Sequence, residues 1–121
     1  MPMLDLRALA EESFCYLTTT GRVTGRPHEI EIWFALLPET RTLYMLSGGG
    51  DRSDWVKNLR RNPKVTLRIA DGRFAGLARG ARDTEEDELA RRLLVEKYES
   101  RPGSLESWRR RALPVVVDLT Q

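Results

Sequence analysis

The segment VTLRIADGRFAGLAR, residues 65–79, leaves a folding chain very little choice. Val65, Leu67 and Ile69 alternate with other residues at the period of a strand with one buried face. Asp71-Gly72 follows at once, and that pair favours the tight turn of an antiparallel hairpin. The returning run, RFAGLARGAR (73–82), is built largely from small residues, which suits close backbone packing or sharp bending.

Other runs carry a similar signature. FCYLTTT (14–20) is rich in aromatic and β-branched residues and ends in the turn sequence GRVTGRP. HEIEIWF (28–34) places Ile30, Ile32 and Phe34 on one face and Glu29, Glu31 and Trp33 on the other. TLYMLS (42–47) returns after the turn PETR (38–41), so 28–34 and 42–47 are expected to form a second hairpin. VVVDL (115–119) makes a last strand. Helical spacing and capping residues predict helices at 4–12, from Asp51 or Ser53 to 62, at 84–98 behind a Thr84 cap, and after Ser104. The expected fold class is therefore α+β, mainly β, with about six antiparallel strands in a small barrel and helices at its mouth and side.

Composition excludes several function classes. The apolar runs Trp33–Leu37 and Leu113–Val117 are far shorter than a membrane helix needs, and residues 1–12 lack the order of a signal peptide. A cytoplasmic location is expected. The single cysteine, Cys15, sits among apolar neighbours and reads as a small buried side chain. One histidine cannot build a metal site with a partner histidine or cysteine set, so no metal is expected. Neither a GxSxG elbow, a Walker loop nor GxGxxG occurs. A modest basic excess between Arg22 and Lys64, without a stripe of stacking aromatics, argues against a nucleic-acid partner. So bare a set of side chains suggests chemistry borrowed from a cofactor.

Two segments could hold one. TTTGRVTGRPH (18–28) is a glycine-bent loop carrying Arg22, Thr24, Arg26 and His28, suited to an anionic group. SGGGDRSDWVKNL (47–59) ends a strand, supplies Ser47, Gly48 and Gly49, and begins a helix carrying Arg52, Trp55 and Asn58. Exposed amides at such a helix start can cradle an anion or the polar edge of a ring. Asp51 and Asp54 favour the ring edge. Asn58 reads equally as a cap for a nearby strand or as a ligand hydrogen bond.

The spaced set TTTGRVTGRPHEIEIWF (18–34), SGGGDRSDWVKNLRRNPKVTLRI (47–69) and LPVVVDL (113–119) resembles the deazaflavin-dependent nitroreductase family. That family belongs to the FMN-binding split-barrel superfamily, with the pyridoxamine phosphate oxidases. The resemblance implies a six-stranded antiparallel split β-barrel over 1–121 as one cofactor-binding domain, able to form a homodimer. It implies the 8-hydroxy-5-deazaflavin coenzyme F420, with Arg22, Thr24, Arg26 and His28 near the phosphate of its tail. Ser47, Gly48 and Gly49 would approach the ring, with Arg52, Trp55 and Asn58 alongside; no catalytic side chain is implied. The implied reaction is hydride transfer from the reduced coenzyme to a small activated acceptor such as a quinone, enone or nitro compound. On that reading Arg26→Ala weakens coenzyme binding by about tenfold or more. Gly48 stands where the family often has lysine, and no tyrosine separates Tyr98 from Trp108, unlike nitroimidazole-reducing members. FMN in place of the deazaflavin, or a non-catalytic protein binding a cofactor or a lipid-like molecule, remain the alternatives.

Overall fold

The computed structural model describes residues 5–120. The elements are α1 (Leu6–Leu9), β1 (Cys15–Thr20), β2 (Pro27–Ile32), β3 (Ala35–Leu37), β4 (Thr42–Ser47), a 3-10 turn (Gly50–Arg52), α2 (Asp54–Arg61), β5 (Lys64–Ile69), β6 (Gly72–Arg79), α3 (Thr84–Tyr98), α4 (Glu106–Arg111) and β7 (Leu113–Leu119). The first helix is a single turn, shorter than its sequence predicts; Leu4 lies outside the described residues.

The Asp71-Gly72 hairpin forms in the expected register, with Thr66 opposite Ala75 and Leu67 opposite Phe74. Its small residues do pack closely. A methyl on Gly76 would collide with Val117 of β7, so glycine lets the two strands approach.

Seven strands, one more than the sequence suggested, make a single antiparallel sheet in the order β2-β1-β5-β6-β7-β4-β3. The edges, β2 and β3, are consecutive in the chain and separated only by Trp33 and Phe34. Flat, seven strands would hold their outer members roughly 29 Å apart, at ~4.8 Å per neighbour. The three peptide steps from Ile32 to Ala35 span at most about 11 Å. The sheet must therefore curl into a split barrel.

This corrects the expected hairpin of 28–34 with 42–47. β2 pairs with β1, and the short β3 pairs with β4. The alternation in HEIEIWF continues through a break because the break is held from far away. The Phe34 N–H donates to the Tyr98 hydroxyl at 3.0 Å, and that hydroxyl donates to the Ser13 carbonyl at 2.9 Å. Lys97 Nζ donates to the Phe34 carbonyl at 2.9 Å and lies 3.7 Å from the centre of the Phe34 ring. Tyr98→Phe is expected to leave the buried strand break short of a donor and acceptor, costing about 1–2 kcal/mol in a urea unfolding titration.

The barrel interior holds Leu17, Phe34, Leu43, Met45, Leu67, Ile69 and Val117, with the Cys15 thiol among them as expected. Burial pushes that thiol up to about 12, so it stays protonated. A second apolar layer lies outside the sheet, where Tyr44, Leu46 and Val116 meet Ala90 and Leu94 of α3 and Ala112. β4 is thus buried on both faces. α3 has the expected bounds, but Asp83 rather than Thr84 caps it, its side chain accepting from Glu86 N–H at 2.9 Å. α2 covers the mouth of the barrel beside β1 and β6, with Val56 and Leu59 buried.

Candidate active site

β1 and β2 are joined by a loop whose geometry depends on glycine. The Gly21 N–H donates to the Arg26 carbonyl at 2.7 Å, and Gly25 N–H to the Gly21 carbonyl at 2.9 Å. Gly25 has φ +75°, a conformation that disfavours a side chain. Thr24 Oγ1 accepts from the Arg26 N–H at 3.2 Å, leaving its own hydrogen free to donate. Gly21 is buried for a different reason. A Cβ there would sit 2.7 Å from His28 Nε2, so the missing side chain is what seats the imidazole against the loop.

The loop leans on α2 through Arg22. Its Nη1 donates to Asn58 Oδ1 at 2.8 Å and its backbone N–H to the same oxygen at 3.2 Å. Its Nη2 donates to Asp54 Oδ1 at 3.1 Å. Asn58 is buried, and its amide nitrogen donates in turn to Thr19 Oγ1 at 3.3 Å. Asn58 thus ties the loop and β1 to α2.

Between loop, strand and helix lies a cleft of about 460 Å3. Gly21, Arg22, Val23 and Thr24 line one side, His28, Glu29 and Ile30 of β2 the second, and Asp54, Trp55 and Asn58 of α2 the third. β2 has a neighbour on one side only, so its free edge borders this hollow. Of the residues singled out by sequence, Arg22, Thr24, His28, Trp55 and Asn58 converge here.

The others do not line it. Arg26 and Arg52 are exposed outside the cleft. Ser47 is buried and donates to the Gly50 carbonyl at 2.9 Å, and its oxygen is 2.9 Å from Ser53 Oγ. Ser53 therefore caps nothing with its side chain. A Cβ on Gly49 would lie 2.5 Å from Ser53 Oγ, so its small size serves this turn. Gly48 lies beside Trp108, whose indole a methyl there would touch at 3.9 Å.

Sequence reasoning missed Arg61 and Asn62, which with residues 20–25 line another hollow, of about 610 Å3, on the other flank of the loop. Their signal was present: Arg61 follows Asn58 by three residues and Asn62 by four, the spacing of one helix face. Tyr98 does not line this cleft. It stands at the strand break, and burial pushes its phenol up to about 12.

The donor set suits a planar guest with an anionic tail. It offers a fixed guanidinium, a hydroxyl, an imidazole and loop backbone at one end, with Trp55 and Ile30 beyond. Among the described residues no group of three or more metal-ligating side chains occurs, and no helix is long and apolar enough to cross a membrane.

The fold is shared with solved structures of low sequence identity. A protein from Bacteroides thetaiotaomicron assigned to 5-nitroimidazole antibiotic resistance superposes with TM-score 0.77 at 18% identity, covering 100% of this chain and 83% of that one. A Listeria innocua protein assigned as a pyridoxamine 5'-phosphate oxidase gives 0.70 at 20%, covering 96% and 90%. An F420-H2 dependent reductase gives 0.66 at 24%, covering 87% and 92%. Residues 7–120 match the F420H2-dependent quinone reductase family. With nearly the whole chain matched, this protein belongs to that family of deazaflavin-dependent enzymes, which use coenzyme F420.

Proposed function

We propose that this reductase passes hydride from reduced F420 to a small activated acceptor, a quinone, enone or nitro compound, and that the coenzyme occupies the cleft between the 21–24 loop and α2. The observation that carries this reading is the convergence of Arg22, Thr24, His28, Trp55 and Asn58 on one hollow.

The bound coenzyme supplies a hydride. The protein's part is to bind, orient and shield. Arg22, held flat by Asn58 and Asp54, presents its remaining N–H groups to the anionic tail, with Thr24 and His28 beside it. Asn58 is a positioning residue for Arg22. Trp55 and Ile30 flank the ring and exclude water from it. Arg26 and Arg52, outside the cleft, contribute to the positive field that draws the tail in. No side chain is assigned as acid or base, and the proton that completes acceptor reduction comes from solvent at the open cleft. A cytoplasmic enzyme, working where its coenzyme is re-reduced, fits this scheme.

Mixing the purified protein with reduced F420 and menadione tests it. Oxidation of the coenzyme that depends on protein and quinone together is expected. Binding of neither redox state at tens of micromolar, or a protein that purifies yellow with releasable FMN, would contradict it. A smaller effect is expected of Gly21→Ala. The new methyl must push His28 off its seat, weakening F420 binding about threefold to tenfold by calorimetry with little change in melting temperature.

A further inference from the structure

Along β1 the side chains alternate, and Cys15, Leu17 and Thr19 form its buried row. Cys15 and Leu17 belong to the apolar core. Thr19 ends the row and carries a hydroxyl into the same layer, where valine would match its shape. A buried hydroxyl is costly unless it is hydrogen-bonded. Its partner is Asn58, whose Nδ2 donates to Thr19 Oγ1 at 3.3 Å.

That contact is the inner end of a chain of hydrogen bonds running out to the cleft. Asn58 Oδ1 accepts from the Arg22 backbone N–H at 3.2 Å and from Arg22 Nη1 at 2.8 Å. Both Arg22 groups are donors only, so the oxygen end of the amide must face them. The nitrogen end must then face inward, and Thr19 is its acceptor. Turning the amide over would set its NH2 against two donors. Asn58 is itself buried, so neither end can turn to water instead.

Thr19 makes a stiff anchor. Branching at Cβ restricts its rotamers. β1 lies between β2 and β5, so its backbone is held on both edges, and Thr19 stands opposite His28 in the β1–β2 ladder.

We infer that Thr19 is a positioning residue for coenzyme binding: its buried hydroxyl fixes the Asn58 amide, and through it the Arg22 guanidinium that meets the anionic tail. The inference rests on the coenzyme reading above and adds to it a residue that lines no wall of the cleft. Without the hydroxyl, Asn58 Nδ2 becomes a buried donor short of an acceptor. Rotation of the amide relieves that shortage and draws Oδ1 away from Arg22. Arg22 keeps its contact with Asp54 at 3.1 Å, so the loss is partial.

Fluorescence titration with oxidised F420 and amide hydrogen exchange on the coenzyme-free protein test the inference together. Thr19→Val keeps the branching and deletes the hydroxyl, and is expected to weaken F420 binding about threefold to tenfold. Thr19→Ser restores the hydroxyl and is expected to bind within about twofold of the unmodified protein. Thr19→Cys, whose sulfur accepts weakly, is expected to fall between the two, and it replaces Thr19→Val should that variant not fold. A merely structural role would add its loss to any background. Placed on Arg22→Ala, Thr19→Val is instead expected to cost less than about twofold more. Exchange at the Arg22 amide is expected to quicken about tenfold in Thr19→Val. The Gly21 amide, bonded to the Arg26 carbonyl at 2.7 Å, should keep its rate. Unchanged affinity in Thr19→Val, an equal loss in Thr19→Ser, or a full further loss on Arg22→Ala overturns the inference. If the unmodified protein binds no F420, the coenzyme reading has failed; unchanged exchange at Arg22 in Thr19→Val then overturns the positioning role as well.

Discussion

Arg22→Ala is expected to weaken F420 binding by roughly ten- to a hundredfold, the 1.5–3 kcal/mol that a lost charge-assisted contact is worth. The guanidinium reaches from the loop to α2, tied to Asn58 at 2.8 Å and to Asp54 at 3.1 Å. Its side chain keeps 33% of its surface exposed, so part of the fork still faces solvent and a ligand. Asp54 is 84% exposed, and a pair so open to water competes weakly with a bound anion. Removing the Arg22 side chain leaves Asn58 bound to the Arg22 backbone N–H and to Thr19, so the loop keeps its seat on α2. Arg26→Ala is the comparison, because Arg26 lies on the same loop but outside the cleft. It is expected to cost about threefold or less, the scale of an exposed charge acting through solvent. Calorimetric titration of both variants with oxidised F420 makes the measurement. Equal losses would move the tail to the outer side of the loop.

The second large effect concerns stability. Arg79 joins β6 to β7 and α3: its Nη1 donates to Glu86 Oε1 at 2.6 Å, and its Nε to Asp118 Oδ2 at 2.7 Å. Glu86 also accepts from the Arg82 N–H at 2.7 Å. These hydrogen bonds, the Arg79 contact first, hold the Glu86 carboxyl at about 2, down from 4.5, and raise Arg79 further above its ordinary value. A carboxyl whose pKa is lower in the folded chain stabilises fully above its unfolded value. That contribution is complete above pH 4.5 and is lost as the pH falls towards 2. The Glu86 side chain is only 10% exposed, while Asp118 is 46% exposed, so Glu86 carries most of the effect. Glu86→Gln is expected to lower stability at neutral pH by about 2 kcal/mol in urea, with the gap from wild type closing between pH 4.5 and 2. F420 affinity should not change, since none of these residues lines the cleft between the 21–24 loop and α2.

The readability of this fold from sequence depended on how local each cause was. The 64–79 hairpin was legible because two adjacent residues, Asp71 and Gly72, dictate the turn. The break after Ile32 was not, because its cause is Tyr98, 64 residues beyond Phe34. The alternation of HEIEIWF runs on through it, so the chain looks like one strand where it is two. The same holds for the site. Arg22, His28, Trp55 and Asn58 were legible because a charged, glycine-bent loop and an amphipathic helix announce themselves. The surroundings of the glycine run at 48–50 were not legible, since they are the Ser47–Ser53 contact and Trp108, and neither leaves a mark in local composition. Likewise a cleft near the end of β2 draws Phe14, Trp33, Leu46 and Trp108 from four separate stretches of chain.

The location of the coenzyme is tested most directly by two-dimensional amide and indole NMR during a titration with oxidised F420. The backbone signals of Gly21, Val23 and Thr24 and the Trp55 indole N–H are expected to shift together and saturate with one equivalent. Shifts gathered instead at Ala78–Ala81 and Leu113–Val115, which line a separate hollow behind α2, with the loop and Trp55 unmoved, would contradict the account.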